Sequence, residues 1–388
     1  MKTKKSKSDW LSIIAVFFGF FIMGFVDIVG IATNFIKNDF NLSSTLANVI
    51  PMMTFLWFAV FSIPVGILMG KIGRKQTVLL SLILTMVAML IPYIFYDYIM
   101  VLIAFGLLGI SNTILQVSLN PLVASLFEKD KTASILTLGQ FVKAISSFLG
   151  PIIVGFAASY FSNWKMIFMI YSSMAFLSTL LLFFSKTNEK GFENTPTNFR
   201  NVINLLGNKY ILYCFFCILL IVGIDVGINT NVPELLMKRT SLELNRAGLG
   251  ISIYFAARII GTFFGAFMLL KISPLNYLKI SLLIAMATFF LLMFISNLWI
   301  LMALIFIIGF TCANVFSIIF SYALKESPTR SNEVSALMIM GVSGGAIILP
   351  LQGIINDHFG FFISLFILFI CLVLIFIFTL KLDKNVQE

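Results

Sequence analysis

The chain has 388 residues, 60% of them hydrophobic and only 11% charged, with a formal net charge of +10. A mean hydropathy of +1.05 is more apolar than a soluble core can use, so a water-soluble globular fold is excluded and a lipid bilayer is the expected surrounding. So large a cationic surplus raises nucleic acid as a partner, which the placement of the charges then excludes.

A membrane span needs roughly 20 predominantly apolar residues. On that basis the chain predicts twelve spans: 10–36, 46–69, 77–96, 99–126, 132–160 and 164–185, then 209–237, 247–270, 276–295, 298–324, 332–357 and 360–381. The first run follows a basic segment but is too long for a cleavable signal peptide and has no small-residue cleavage site. The spans are continuous and rich in Leu, Ile, Phe and Gly, without the period-2 alternation of a β-barrel. One long polar stretch, 186–208, divides them six and six. The expected class is an all-α membrane protein of two pseudo-symmetric six-helix bundles, 1–185 and 209–388, joined by a linker over 186–208.

Of the 26 Lys and Arg residues, nineteen fall on the face that carries the termini and the linker. Five fall on the other: Lys37, Lys165, Lys238, Arg239 and Arg246. By the positive-inside rule both termini are cytoplasmic, and the basic residues are topology signals and lipid contacts rather than a nucleic-acid footprint. Lys143 and Arg258 remain, both within spans.

Two acids also interrupt apolar runs, in similar surroundings. Asp27 lies in Gly24-Phe-Val-Asp27-Ile-Val-Gly30, and Asp225 in Gly223-Ile-Asp225-Val-Gly227. A lone charge at the bilayer centre costs about 2.5–3.5 kcal/mol on insertion scales, so it marks a pathway, a relay or a partner. A duplicated acid, early in each half, is the plan of a secondary transporter built from two repeats. Asp27, Asp225 and Lys143 are therefore the candidate proton-coupling residues. The alternative is a static ion pair, with Lys143 on Asp27 and Arg258 bracing spans 7 and 8.

Amides recur at helical spacing. Asp27 and Asn34 share a face, as do Gln116 and Asn120, Gln140 and Lys143, and Asp225 and Asn229. Amides both donate and accept, which suits a polyhydroxylated ligand. The candidate substrate contacts are Asn34, Trp57, Gln116, Asn120, Gln140, Lys143, Asn229 and Asn314, with the rings of Trp57 and Tyr254 able to stack on a sugar face. Asn120-Pro121 and Gly150-Pro151 are expected to bend their helices. The four cysteines lie in apolar stretches and read as packing residues, Cys214-x-x-Cys217 included. The single histidine, His358, sits at a span end. No nucleotide loop, metal-ligand cluster or Ser/His arrangement is present, so neither catalysis, cofactor nor metal is expected.

Several segments are similar to known sequences. Gly66-Ile-Leu-Met-Gly70-Lys71-Ile-Gly73-Arg74-Lys75 resembles the loop 2–3 motif of the major facilitator superfamily, with Gly70 where that motif has Asp. Four others narrow the resemblance to the fucose–glucose/galactose–proton symporter family. They are Leu115-Gln116-Val-Ser-Leu-Asn120-Pro121, Val222-Gly223-Ile-Asp225, Ala257-Arg258-Ile-Ile-Gly261 and Gly344-Gly345-Ala346-Ile-Ile-Leu-Pro350-Leu-Gln352-Gly353. The resemblance covers nearly the whole chain. It implies the major facilitator fold and proton-driven uptake of a hexose or deoxyhexose by alternating access, in a bacterial inner membrane. By the same resemblance Asp27 matches the proton-linked acid of helix 1, and Gln116 falls where fucose carriers have Glu. Asp225 stands where the family often has Glu, and Lys143 where relatives have a small or amide residue. Gly66, Gly73, Arg74, Arg258 and Gly345 take gating or structural positions. The expected partners are a sugar, protons and the lipid bilayer, with the chain a monomer. A proton-coupled exporter of drugs or metabolites on the same fold is the alternative. Ser146-Ser147-Phe-Leu-Gly150-Pro151-Ile-Ile-Val-Gly155 partly resembles the antiporter motif of helix 5, with Val154 where a second Gly is expected.

Overall fold

A computed structural model describes residues 7–126, 132–185, 199–269, 272–327 and 330–383. Twelve helices in it are long and apolar enough to cross a membrane. They are α1 (Leu11–Asp39), α2 (Ser44–Ile72), α3 (Arg74–Ile94), α4 (Tyr98–Leu119), α5 (Leu138–Phe161), α6 (Met166–Phe184), α7 (Lys209–Thr240), α8 (Leu244–Gly265), α9 (Pro274–Leu292), α10 (Leu298–Ala323), α11 (Ala336–Phe359) and α12 (Phe361–Leu382). An even number of spans returns the chain to the face on which it began, here called the terminal face. The opposite one is the far face.

Packing repeats between the halves. In the first, α4 packs on α2 and α3, α3 on α6, and α1 on α5 and α6. In the second, α10 packs on α8 and α9, α9 on α12, and α7 on α11 and α12. The same glycine contacts hold both. A Cβ on Gly109 of α4 would strike the Thr54 carbonyl of α2, and one on Gly309 of α10 the Tyr254 carbonyl of α8, each residue 200 positions after its counterpart. Without a hydrophobic force between helices in lipid, close backbone approach through small residues is what joins them. Between the halves, α2 packs on α11, α5 on α8, and α1 on α7. A two-fold axis along the bundle exchanges the first two contacts and maps the third onto itself.

The helices break where the sequence did not predict it. Pro51, Pro64, Pro92, Pro151, Pro233 and Pro350 all lie inside continuous helices, and the helix bearing α4 runs through Pro121. At Asn120-Pro121 and Gly150-Pro151, where bends are expected, the helices run on without a break. Instead α1 tightens to a 3₁₀ turn over Gly24–Ile28, α11 does so over Gly341–Ser343, and α10 is interrupted at Ala313 and Asn314. The two acid-bearing helices also differ. Around Asp225, α7 stays α-helical, and Thr230 and Asn231 hydrogen-bond back to the carbonyls of Val226 and Gly227 in their own helix. All four cysteines are buried and free.

The glycine contacts set a stability test. Gly309→Val forces a side chain onto the Tyr254 carbonyl and should destabilise the protein by about 1–3 kcal/mol, read as a lowered unfolding temperature in detergent. Gly66→Ala, at a position with nothing within 4 Å of a Cβ, should leave it unchanged or slightly raised.

Candidate functional site

The 3₁₀ turn in α1 is the centre of the polar site. Tightening a helix removes i→i+4 donors from the carbonyls just before the turn, and in a bilayer each must find another. Asn112 of α4 donates its amide to Met23 O at 2.9 Å, and Asn229 of α7 donates to Asp27 O at 2.6 Å. The turn is thus held by one amide from each half. Glycines let the neighbours in: a Cβ on Gly24 would meet Lys143 O and Ser146 of α5, and one on Gly30 the Asn229 side chain.

Within this turn the Asp27 carboxylate accepts a 2.5 Å hydrogen bond from Ser147 Oγ of α5. Ser147, absent from the predicted site, takes the place expected for Lys143. Among the described residues no ion pair joins Lys143 to Asp27, so the expected static pair is not formed in this conformation. The other acid is paired. Arg258 of α8 forms an ion pair with Asp225, Tyr254 Oη donates to the same carboxylate oxygen at 2.5 Å, and Arg258 also reaches Tyr254 Oη. Arg258 thus braces α7 and α8 as expected. Tyr254 is fully buried, so its ring is not available to stack on a ligand. Asn229 stands one turn beyond Asp225 and donates to the Asp27 backbone, so α7 meets the α1 turn one helical turn from its own acid.

The other predicted contacts divide. Gln116 donates to Asn112 at 2.8 Å and so extends the α1 network. Trp57 is half-buried, with Nε1 over Gly106 of α4 and no hydrogen-bond partner among the described residues. Asn229 Oδ1 is likewise buried and unpartnered. Gln140 is exposed, and the side chain of Asn120 lies outside the described residues. Asn34 and Asn314 are buried and turn their amides to backbone: Asn34 to Gly30 O and Thr230 O, Asn314 to Gly261 O and the Tyr277 hydroxyl. Both hold helices together and face no open space. Gly345 packs against the Phe55 ring of α2 across the halves. Gly73, with φ of 88°, turns α2 into α3, where Arg74 begins the helix. Lys75 there donates to the carbonyls of Phe183 and Ser185 at the end of α6.

On the far face the halves are fastened by charges and amides at the ends of the spans. Lys37 of α1 pairs with Glu234 of α7 at 3.1 Å, and Lys238 joins the same carboxylate at 2.8 Å. Asp357 of α11 accepts from the backbone N–H groups of Ser44 and Thr45 at 2.8 and 2.7 Å. These are orphan donors of the first turn of α2, capped from the opposite half. Asn356 donates to Ser44 Oγ, and Asn245 of α8 to Ser159 of α5. Within the first half, Asp39 accepts from Tyr96 and Trp164, and burial with that carboxylate pushes the Tyr96 hydroxyl well above its usual range.

This two-fold, twelve-helix arrangement has known counterparts. The sequence profile of the Major Facilitator Superfamily matches residues 10–237 and 214–387. The chain belongs to the major facilitator superfamily. Its relatives there include a glucose/galactose transporter of Brucella abortus, 23% identical over 393 residues and covering 95% of this chain and 93% of its own. Among solved structures, the Escherichia coli fucose:proton symporter FucP aligns with a TM-score of 0.70 at 17% identity, over 98% of this chain and all of its own. A bacterial homologue of the human lysosomal transporter Spinster, solved inward-facing, aligns with a TM-score of 0.81 at 15% identity, over 98% of each chain. At such identities the structures establish the fold. The protein is a transporter of this superfamily and not an enzyme.

In a major facilitator the two halves rock about a central site. Here the far face is shut by the contacts of Lys37, Ser44, Glu234 and Asp357. Asp27, Trp57, Gln116, Lys143, Asp225 and Arg258 nevertheless keep part of their surface accessible.

Asp357→Ala removes the cap from α2 and should weaken the seal by about 1 kcal/mol, about fivefold in the far-open population. A cysteine at Ile31, which is 1% exposed and packed on Gly248, reports it. An impermeant thiol reagent added at the far face should label Ile31→Cys several-fold faster in the Asp357→Ala background. An unchanged rate would remove Asp357 from the seal.

Proposed function

We propose that the protein is a proton-coupled sugar symporter that carries a hexose or deoxyhexose by alternating access, acting as a monomer in a bacterial cytoplasmic membrane with the terminal face cytoplasmic. The observation that carries the reading is the position of Asp27. It is an acid in a helix break where α1, α5 and α7 meet, bonded through its side chain to one half and through its backbone to the other. A group so placed feels any rocking of the halves, and a proton on its carboxylate alters the bond to Ser147. The names of the Brucella relative and of FucP support sugar as the cargo.

The polar lining suits hydroxyl groups. Gln116, partly accessible, donates to the Asn112 that holds the α1 turn, while Trp57 Nε1 of α2 and Asn229 Oδ1 of α7 are buried without a hydrogen-bond partner among the described residues. Asp225, bound by Arg258 and Tyr254, keeps its charge matched through the cycle and serves the frame of the second half. Coupling supplies the driving force. A charge moving down 100 mV contributes about 2.3 kcal/mol, enough for roughly 50-fold accumulation of a neutral sugar.

The test is transport in proteoliposomes that enclose a pH dye, with L-fucose, glucose, galactose, N-acetylhexosamines and uronic acids added one at a time. Sugar-dependent internal acidification is expected for the wild type. Asp27→Asn should lose it and retain sugar-for-sugar exchange. Full uphill uptake by that variant would take coupling away from Asp27. Silence with every sugar, in folded protein, would favour proton-coupled antiport.

A further inference from the structure

The four charges within the spans are unequally matched. Asp225 and Arg258 neutralise each other, and Asp27 is hydrogen-bonded by Ser147. Lys143, among the described residues, has no ion pair and no side-chain hydrogen bond. It is half-buried on α5, three residues after exposed Gln140 and one turn before Ser147, so all three lie on one face. Ser147 on that face reaches Asp27. The adjoining Val142 belongs instead to an apolar groove of about 450 Å³ with Ile13, Phe17 and Leu177. Lys143 therefore stands at the border of the polar site, and its backbone is pinned there because its carbonyl abuts Gly24.

Lys143 is half-buried, so water can solvate this cation while the site is open. Occlusion removes the water, and a desolvated charge then needs a partner. In the symport reading, on which this inference rests, Asp27 carries the proton when the carrier is loaded and is neutral. Asp225 and Arg258 cancel. The loaded site thus holds one uncompensated positive charge, on Lys143. We propose that the substrate supplies the counter-charge: in place of a neutral hexose it is a monoanionic sugar of the hexuronate class with its carboxylate on Lys143, so that sugar and proton cross together without net charge and the pH gradient drives them. A sugar phosphate carries about −1.5 to −2 at pH 7 and would overshoot the balance. A plain hexose would leave Lys143 bare.

The test is calorimetric titration of the purified full-length protein with D-galactose, D-galacturonate and D-galactose 6-phosphate. Wild type should bind galacturonate at least tenfold more tightly than either of the others. Lys143→Gln should lose that preference by tenfold or more while its galactose affinity changes less than about threefold. Lys143→Arg, which keeps the charge, should retain the preference and answers for the site should Lys143→Gln fail to fold. Tighter binding of galactose than galacturonate by wild type would overturn the inference and leave sugar symport standing. A preference for the phosphate would overturn the monoanion assignment. Binding of none of the three by folded protein would overturn both the inference and the sugar reading.

Discussion

Hydrocarbon offers no water to a free carbonyl, and the break in α1 is organised around that fact. A 3₁₀ turn at Gly24–Ile28 unsettles the carbonyls of Met23 and Asp27, and one amide from each half, Asn112 and Asn229, restores them. The glycines at 24 and 30 exist in this arrangement as clearances, because a methyl at either would collide with α5 or α7. Asp27 owes its position to the turn, Ser147 reaches it from α5, and the α1–α7 crossing on the axis is set by Asn229. The charge site, the helix break and the joint between the halves are a single construction.

The far face follows from the same constraint. The first turn of α2 leaves N–H groups that need acceptors, and Asp357 supplies them from the other half. The bond lasts only while the halves touch there. Under the proposed alternating access, opening that face exposes the donors to water, which takes the place of the carboxylate. Lys37 and Lys238, two of the few cations on this face, both converge on Glu234. They act in closure besides their part in the charge bias between faces.

Much of the architecture was legible in the sequence because hydropathy reports burial in lipid directly. The twelve spans and the repeat around the two acids follow from runs of apolar residues and from spacing. Spacing gives the face of a helix but not the neighbour that meets it. Asn34 and Asn314 share the pattern of Gln116, yet their amides close on backbone carbonyls of packed helices. Lys143 outranks Ser147 on charge, yet the serine reaches Asp27, because α5 lies so close at Gly24 that a short side chain spans the gap. The helices run on through their prolines, including Pro121 and Pro151, where bends are expected. The true break in α1 carries no proline, and its signature, glycines flanking an acid, is shared by α7, which stays helical. Glu234 and Asp357 resemble ordinary span-end charges until the partner half is in place.

The central claim is that the proton taken up with the sugar sits on Asp27. Calorimetry of sugar binding in two buffers of different ionisation enthalpy reads the protons taken up with the sugar, independently of any membrane. The account predicts proton uptake with each sugar bound by the wild type and none by Asp27→Asn, with binding itself retained. Equal proton uptake by both proteins, or none by the wild type, would contradict it.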